Sequence, residues 1–328
     1  NFILSRNDAI FLQPANKHHR HATLVNVTET QYKQTSTLAK HPQSGRAAVS
    51  PSYKPMDRHE LLSALDRPVG GARGLPGRVY FSEDVFEDER KRLFAPSWLP
   101  IGYASEIENP GDALPVSIAG WELVLVRSQT GEIACFHNVC RPRGMKLVKQ
   151  KTHLRRLVCS YHCWGYDLSG NLDSTPNIGG VGIAEGDGVN KAELSLLPVR
   201  IGMWNHVIFA NLDGKAGPLE TFIEPVSRRL EQYEFPTATK GIQTREMDLA
   251  VNWKIYIEAG IEDYHLPYVH SKTLGGYGEN YEAEDAPGTY AGFSQRRSID
   301  DVRDRHKGNT SEIPLPVWPA VEKTGTAE

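Results

Sequence analysis

Two short segments decide the fold of this chain: Cys140-Arg141-Pro142-Arg143-Gly144 and Cys159-Ser160-Tyr161-His162-Cys163-Trp164. Together with Cys135, they contain all four cysteines of the 328 residues. Cysteines that merely fill a core are scattered. This clustering indicates either a metal or cluster site in a reducing compartment, or a pair of local disulfides in a secreted chain. The first residues do not follow the pattern of a secretory signal peptide, and histidines lie among the cysteines, so we expect a metal site.

The sequence around the two segments predicts a small all-β region. Leu114, Val116 and Ile118 alternate along one strand, Ala119-Gly120 turns the chain, and residues 123–126 form the next strand. Ser169-Gly170-Asn171 is typical of a hairpin turn. Further strands are predicted at 133–136, 157–158, 166–168, 198–201 and 206–211.

The two segments resemble the cluster loops of a Rieske [2Fe–2S] domain, in which two Cys hold one iron and two His hold the other. That pattern is Cys-x-His on one loop and Cys-x-x-His on a second, and here sixteen residues separate position 142 from Cys159. Residues 136–140 and 161–170 match the flanking pattern as well. The resemblance implies that three residues are ligands of a [2Fe–2S] cluster: Cys140, Cys159 and His162.

One ligand of that pattern is absent, because position 142 is Pro142, which has neither a side-chain donor nor a backbone N–H. Cys163 stands where the pattern usually has glycine, and recruiting it is disfavoured because adjacent residues of an extended loop point to opposite sides. Two substitutes remain open. Cys135-x-His137 offers an alternative first loop, and the four cysteines could instead form a zinc site.

Helical patterns flank the β region. Ser82 is a candidate N-cap for a helix with acidic residues in its first turn, and Pro96 ends that helix. Residues 218–230 form a second amphipathic stretch. Beyond it, the patterns predict a strand at 247–251 and a helical segment at 253–265, and the tail from Gly275 shows little periodicity.

The last helical segment carries a second motif, in which Asn252-Trp253-Lys254 is followed by Glu262, His265 and His270. Glu262 and His265 are three residues apart and share a helical face. His270 lies about 140° from His265 on an ideal helix, but Pro267 disturbs the helix and can bring the two imidazoles together. Such a set is the facial triad of non-haem Fe(II) oxygenases, although each histidine alone is equally typical of an ordinary helix or surface position.

The second motif resembles the iron-binding helix of Rieske oxygenase alpha subunits, and it follows the cluster loops in the same order. The resemblance implies that His265 and His270 bind a mononuclear Fe(II). It also implies that Glu262 is the acidic bridge between that iron and the cluster histidine of a neighbouring subunit. Ala259 and Gly260 depart from the family, which has Asn and an aromatic there.

The third iron ligand of the family is an aspartate that would lie beyond Glu328. The nearest substitutes, Asp300, Asp301 and Asp304, are typical of a solvated charged run rather than of a metal site. We therefore expect the catalytic domain to be C-terminally incomplete.

The resemblance implies an α+β fold: a small all-β Rieske [2Fe–2S] domain, then a partial catalytic domain with helices and an antiparallel sheet in a helix-grip-like arrangement. We expect residues 1–74 to be an unstructured or non-native N-terminal segment and 75–97 an N-terminal helix. Residues 98–214 would form the cluster domain and 215–328 the mononuclear iron domain.

The activity that the resemblance implies is O2-dependent hydroxylation or oxidative demethylation of an aromatic compound or a quaternary amine. The implied partners are a ferredoxin or flavin reductase, and further copies of the chain in a homotrimer. The alternative is a catalytically inactive relative or a metal-binding structural module, which Pro142 favours.

Composition excludes other classes. The net charge is −3 with no strongly basic face, so nucleic acid is not an expected partner. No apolar run approaches the roughly 20 residues that span a bilayer. Residues 1–55, ahead of Met56, are acid-poor and contain His18, His19 and His21. They fit a translated leader, an organelle transit peptide or a disordered tail. We expect a cytoplasmic protein, or an organelle protein if the segment is a transit peptide.

Overall fold

The computed structural model describes residues 13–14, 22–25, 71, 74–184, 186, 189–231, 246–261, 264–269, 279–286 and 290–296. Most of the N-terminal segment 1–55, with its three histidines, lies outside these residues. The chain divides into two compact units, one formed by Val27–Glu87 and the other by Asn1–Asn26 with Asp88–Glu328. None of the helices in the described part of the chain has the length and apolarity needed to cross a bilayer.

The first described elements are two short strands and one helix. Strands β1 (Gln13–Pro14) and β2 (Ala22–Val25) pair antiparallel. A 3-10 turn at Gly77–Tyr80 precedes helix α1 (Glu83–Glu89), and a single π turn at Arg90–Phe94 follows it. The expected helix therefore exists, but its last turn is wider than an α-helix. Within Val27–Glu87, Asp84 accepts from both Ser82 and Arg78, which ties down the start of α1.

Antiparallel strands follow, as predicted. In chain order they are β3 (Trp98–Tyr103), β4 (Asp112–Ile118), β5 (Trp121–Arg127), β6 (Ile133–His137), β7 (Thr152–His153), β8 (Leu157–Val158), β9 (Gly165–Tyr166), β10 (Leu172–Ser174), β11 (Arg200–Trp204) and β12 (Val207–Asn211). They form three sheets with the orders β6-β5-β4-β7, β10-β9-β8 and β11-β12-β3. A short 3-10 turn, Ala104–Glu106, follows β3.

The β4–β5 hairpin shows why the strands and turns of this region can be predicted from the sequence. Ile118 pairs with Trp121, so the turn consists of the two residues Ala119 and Gly120. Both have positive φ, +48° and +79°, which is the geometry of the two-residue turns that match strand twist. The predicted turn at Ser169-Gly170 is also present. Gly170 has φ +85°, and a Cβ there would lie 2.5 Å from the ring of Phe136.

Clusters of buried side chains hold these sheets, and two of them position the candidate site and helix α2. Buried residues from the β4–β7 and the β8–β10 sheets form one core, which includes Val124, Phe136, Leu157 and Tyr166. The second core packs helix α2 (Leu219–Arg229) on the third sheet through Leu219, because Gly202 leaves room for that side chain. The first core also contains two cysteines, so the candidate cluster site is built into the hydrophobic interior rather than appended to it.

The remaining described elements correct one prediction. Strand β13 (Glu246–Leu249) pairs with β2. Helix α3 (Trp253–Gly260) ends before residue 265, and a short helix α4 (Leu266–Val269) begins after it, so the predicted single helix is wrong. Pro267 lies in the first turn of α4, where a missing N–H costs nothing. Strands β14 (Glu279–Ala286) and β15 (Tyr290–Arg296) pair antiparallel in the tail whose sequence shows little periodicity.

Candidate metal centre

The two cysteine loops, residues 140–145 and 159–164, have the same backbone design. In the first, the Cys140 N–H donates to Met145 O at 2.8 Å, and the Gly144 N–H donates to Cys140 O at 2.9 Å. In the second, the Cys159 N–H donates to Trp164 O at 2.8 Å, and the Cys163 N–H donates to Cys159 O at 2.9 Å. Each loop is thus a six-residue turn that starts at a cysteine.

A left-handed residue closes each loop four positions after its cysteine. Gly144 has φ +72° and Cys163 has φ +57°. Glycine adopts this conformation freely, whereas a residue with a Cβ does so at a cost of about 1–2 kcal/mol. The geometry therefore explains the glycine of the family pattern, and Cys163 is held in a strained conformation. Its side chain is exposed, so it is not directed into the core with Cys159.

The two loops bring Cys140 and Cys159 together inside the first core. Both are buried in that core, and the Cys159 thiol lies close enough to Cys140 to help raise the Cys140 pKa. Tyr166 joins them: its hydroxyl lies 3.3 Å from Cys140 Sγ and accepts from the Arg141 N–H at 3.2 Å. Because that oxygen already accepts from the backbone, its own proton is free to donate to the sulfur.

Burial raises the pKa of Cys140 to about 11; the Tyr166 hydroxyl acts in the opposite direction, and the Cys159 thiol adds to the rise. A metal ligand must be a thiolate, so a metal ion has to supply the positive charge that offsets this burial. A buried thiol pair with an aimed hydroxyl donor is chemically suited to one iron of a cluster.

His162 lies on the outer side of the second loop. Its ring is exposed and packs against Tyr161, with ring centroids 3.9 Å apart. The Arg143 guanidinium of the first loop lies 5.7 Å from the Tyr161 ring, so the two loops also meet at the surface. Among the residues that the structure describes, no group of three or more His, Cys, Asp and Glu side chains is placed to hold a metal ion.

Pro142 is exposed at the tip of the first loop and supplies no donor atom. The loop itself is nevertheless firmly built. Asn138 is fully buried beneath it, donates to Val148 O at 2.7 Å, and accepts from the N–H groups of Leu147 at 3.2 Å and Val148 at 2.9 Å. The scaffold for the cysteine is therefore present although one imidazole is lacking.

The two substitute sites are wrong. Phe136 belongs to the core that contains Cys140 and Cys159, so its strand neighbours Cys135 and His137 project from the opposite face of the sheet. Burial also raises the pKa of Cys135 to about 12 and lowers the pKa of His137. Cys135 therefore cannot join the other cysteines in a loop or in a zinc site, and Cys163 is exposed away from the buried pair.

The second predicted site is described only in part. His265 is half-buried, and its carbonyl accepts from the N–H groups of Tyr268 at 3.1 Å and Val269 at 2.8 Å, which places it at the start of α4. Glu262 and His270 lie outside the described residues, as do Asp300, Asp301 and Asp304. Helix α3, which leads to this segment, is preceded by its N-cap Asn252, whose side chain accepts from the Lys254 N–H at 3.0 Å.

Three supports of these sites have no role assigned from the sequence. Tyr166 enters there only as part of the family pattern, and Asn138 as a flanking residue. A buried polar side chain in an apolar strand region is the signal that would have found both, because such groups need partners. A third, Glu89, contacts the start of α3 and gave no signal in the sequence.

Comparison with known families agrees with this geometry. Residues 97–185 match the Rieske [2Fe–2S] domain, and residues 236–326 match the ring hydroxylating alpha subunit (catalytic domain). The chain is 33% identical over 249 residues to the benzene 1,2-dioxygenase subunit alpha of Pseudomonas putida, covering 73% of this chain and 53% of that protein. It is 31% identical over 201 residues to the glycine betaine monooxygenase oxygenase subunit of Pseudomonas aeruginosa, covering 61% and 45%.

Solved structures show the same architecture. Naphthalene 1,2-dioxygenase with indole bound matches with a TM-score of 0.52 at 30% identity, over 59% of this chain and 44% of that one. The quaternary ammonium Rieske monooxygenase CntA in complex with L-carnitine matches with a TM-score of 0.57 at 24% identity, over 66% and 60%, and this likeness shows the fold. The chain spans about half the length of the curated relatives it matches. The predicted α+β class is confirmed.

Proposed function

Because the chain belongs to the family of Rieske non-haem iron oxygenase alpha subunits, we propose that it takes part in O2-dependent hydroxylation or oxidative demethylation of a small organic substrate. The observation that carries this proposal is the pair of equivalent loops that bring Cys140 and Cys159 together beside Tyr166. When bound, a [2Fe–2S] cluster and a mononuclear Fe(II) supply the electrons and the O2-reacting metal of such a reaction.

For the cluster, the proposed ligands are Cys140 and Cys159 on one iron and His162 on the other. The sulfur side fits, because two buried thiols lie together with a hydroxyl donor. The imidazole side does not fit as it stands, because Pro142 occupies the position of the second histidine. No step of the reaction is therefore assigned through the cluster.

For the mononuclear iron, the proposed ligands are His265 and His270, with a carboxylate as the third. Glu262 is proposed as the bridge that hydrogen-bonds an iron-binding imidazole. A carboxylate in that place fixes the tautomer and orientation of the ring, so the nitrogen that faces the metal stays unprotonated. The half-buried position of His265 at the start of α4 is compatible with this role.

The substrate class follows the two groups of relatives, which act on benzene or on glycine betaine by name. We propose a small aromatic compound or a quaternary amine as the substrate, with O2 as co-substrate. A ferredoxin or flavin reductase would deliver electrons, and three copies would assemble as a homotrimer. We also propose the division into an N-terminal segment (1–74), a helix (75–97), a cluster domain (98–214) and an iron domain (215–328). The four free thiols are compatible with a cytoplasmic location.

A catalytically inactive metal-binding relative is the second candidate. Pro142 favours it, because a two-histidine iron that loses one histidine loses a ligand and much of its elevated potential. The two candidates differ in turnover and not in fold.

Oxygen incorporation separates them. The full chain is reconstituted anaerobically with Fe(II) and sulfide, reduced chemically, and exposed to 18O2 with a small aromatic compound or glycine betaine. The oxygenase proposal expects an 18O-labelled hydroxylated product from the aromatic compound, or formaldehyde and dimethylglycine from glycine betaine, whose formaldehyde oxygen exchanges with water. His265→Ala should give neither. Absence of product from both substrates, in parent and Pro142→His alike, would favour the inactive relative.

A further inference from the structure

The end of helix α1 reaches the beginning of helix α3 through one carboxylate. Glu89 Oε2 accepts from the Trp253 indole N–H at 3.0 Å, and Glu89 Oε1 accepts from Lys254 Nζ at 2.6 Å. Trp253 and Lys254 are the first two residues of α3. The Glu89 side chain therefore contacts both of the first two residues of the helix that leads to His265.

This contact is shielded from water. The Lys254 side chain is 9% exposed and that of Glu89 is 15% exposed. A desolvated ion pair persists only where further hydrogen bonds satisfy its atoms. Here the second carboxylate oxygen takes the indole N–H, and Lys254 Nζ also lies 5.1 Å from the centre of the Trp253 ring. Such a pair adds little net stability, but its geometry is specific.

The π turn makes a second contact possible on the same tryptophan. Phe94 packs edge-on against the Trp253 ring, with centroids 5.2 Å apart and the planes at 68°. Residues five apart, such as Glu89 and Phe94, are separated by about 140° on a regular α-helix. The turn instead closes with the Ala95 N–H donating to Arg90 O at 2.9 Å, five residues back, and this wider turn lets both side chains reach Trp253.

Arg90, the residue next to Glu89, contacts the cluster domain. Arg90 Nε donates to Ala119 O at 2.6 Å, and the guanidinium lies 4.4 Å from the centre of the Trp121 ring. Both partners belong to the β4–β5 hairpin, Ala119 in its turn and Trp121 at the start of β5. Gly120 leaves the space that the guanidinium uses, since a Cβ there would lie 3.3 Å from Arg90 Nε.

We propose that Glu89 and Arg90 are positioning residues that fix α3 relative to the β4–β5 hairpin. Glu89 positions the first turn of α3, and Arg90 anchors the π turn to the cluster domain. Together they fix the position from which the chain continues into the iron-binding segment. The role in orienting His265 rests on the proposed function, whereas the mechanical coupling between hairpin and helix does not.

Hydrogen–deuterium exchange of the full chain tests the coupling without metal or turnover. Arg90→Gln, whose altered side chain lies on the β4–β5 turn, is expected to accelerate exchange in residues 253–261 by about tenfold. Glu89→Gln is expected to do the same. Asp88→Asn, which removes an exposed carboxylate of the same helix, serves as the matched control and should change that exchange by less than about twofold.

Two outcomes overturn the proposal. One is unchanged exchange in 253–261 for Arg90→Gln; the other is equal acceleration in 253–261 and in the β3–β12 pairing, which marks general destabilisation. Swapping the two charges gives a test that does not depend on any single variant. The double variant Glu89→Lys with Lys254→Glu should have a hydrogen-exchange rate in residues 253–261 closer to that of the parent than either single variant has. If the effects of the two single variants simply add, the pairing is contradicted.

Binding of Co(II), followed by its visible absorption, tests the link to the iron site. We expect His265→Ala to abolish Co(II) binding and Glu89→Gln to lower the Co(II) affinity by about tenfold. Asp88→Asn should leave the affinity unchanged. Unaltered affinity in Glu89→Gln overturns the orienting role. If the parent itself binds no Co(II) through His265, the proposed iron site fails, and exchange in 253–261 still decides the coupling.

Discussion

Gly144 and Cys163 occupy the same place in two equivalent loops: each follows a cysteine by four residues, donates its N–H to that cysteine's carbonyl, and has a left-handed backbone. Only the first is the residue that this backbone favours. The relationship explains why both loops can be built from such different sequences, and it locates the strain in the second loop.

Replacing Cys163 with glycine should stabilise the metal-free chain by about 1 kcal/mol, because the left-handed penalty disappears and exceeds the entropy that glycine adds to the unfolded state. Urea unfolding measures this. Gly144→Ala is the matched control: a Cβ there meets no atom within 4 Å, so it should lose about 1 kcal/mol through the backbone alone. Destabilisation by Cys163→Gly would contradict the assigned backbone.

Asn138→Leu should destabilise the chain by about 2–4 kcal/mol, because three backbone groups beneath the first loop lose their hydrogen-bond partner. These groups are the Leu147 N–H, the Val148 N–H and the Val148 carbonyl. The exposed Asn171, whose amide donates to Asp167 at 2.9 Å, provides the comparison. Asn171→Ala should cost less than about 1 kcal/mol. Equal losses in denaturant unfolding would mean that Asn138 does not support the loop.

The cysteines should differ sharply in reactivity. Cys163 is exposed, whereas Cys135 is buried and burial raises its pKa to about 12. A raised pKa keeps the Cys135 thiol protonated, and hence unreactive, throughout the neutral range. Maleimide labelling near neutral pH, read by peptide mass spectrometry, should modify Cys163 first and Cys135 last. Comparable rates in the folded chain, without denaturant, would show that β6 is not where we place it.

Much of the β region is predictable because its signals are local. Strands β4 and β5 have apolar patterns on either side of a two-residue turn, and the structure keeps them in that register. Strand β3 was missed because Pro100 and Gly102 interrupt its pattern. A proline without an N–H is tolerated there because β3 lies at the edge of its sheet, where the register shifts opposite Pro100.

The helices were predicted in outline but not in detail. The apolar spacing of α1 is compatible with both an α-helix and a π turn, since the choice depends on packing of Phe94 against a residue more than a hundred positions away. For α3, Gly260 was the available signal, because glycine is about 1 kcal/mol less favourable than alanine inside a helix. The cysteine pair, in contrast, was implied by the resemblance to the Rieske cluster loops, whereas its partner Tyr166 depends on the fold.

Iron and acid-labile sulfide per chain, with the EPR spectrum of the reduced protein, test the central claim most directly when parent and Pro142→His are compared. The loops already place Cys140 and Cys159 together, so restoring an imidazole at position 142 should raise the content toward about two irons and two sulfides and give a rhombic Rieske signal. If Pro142→His binds no more iron and sulfide than the parent, the two loops do not form a cluster site.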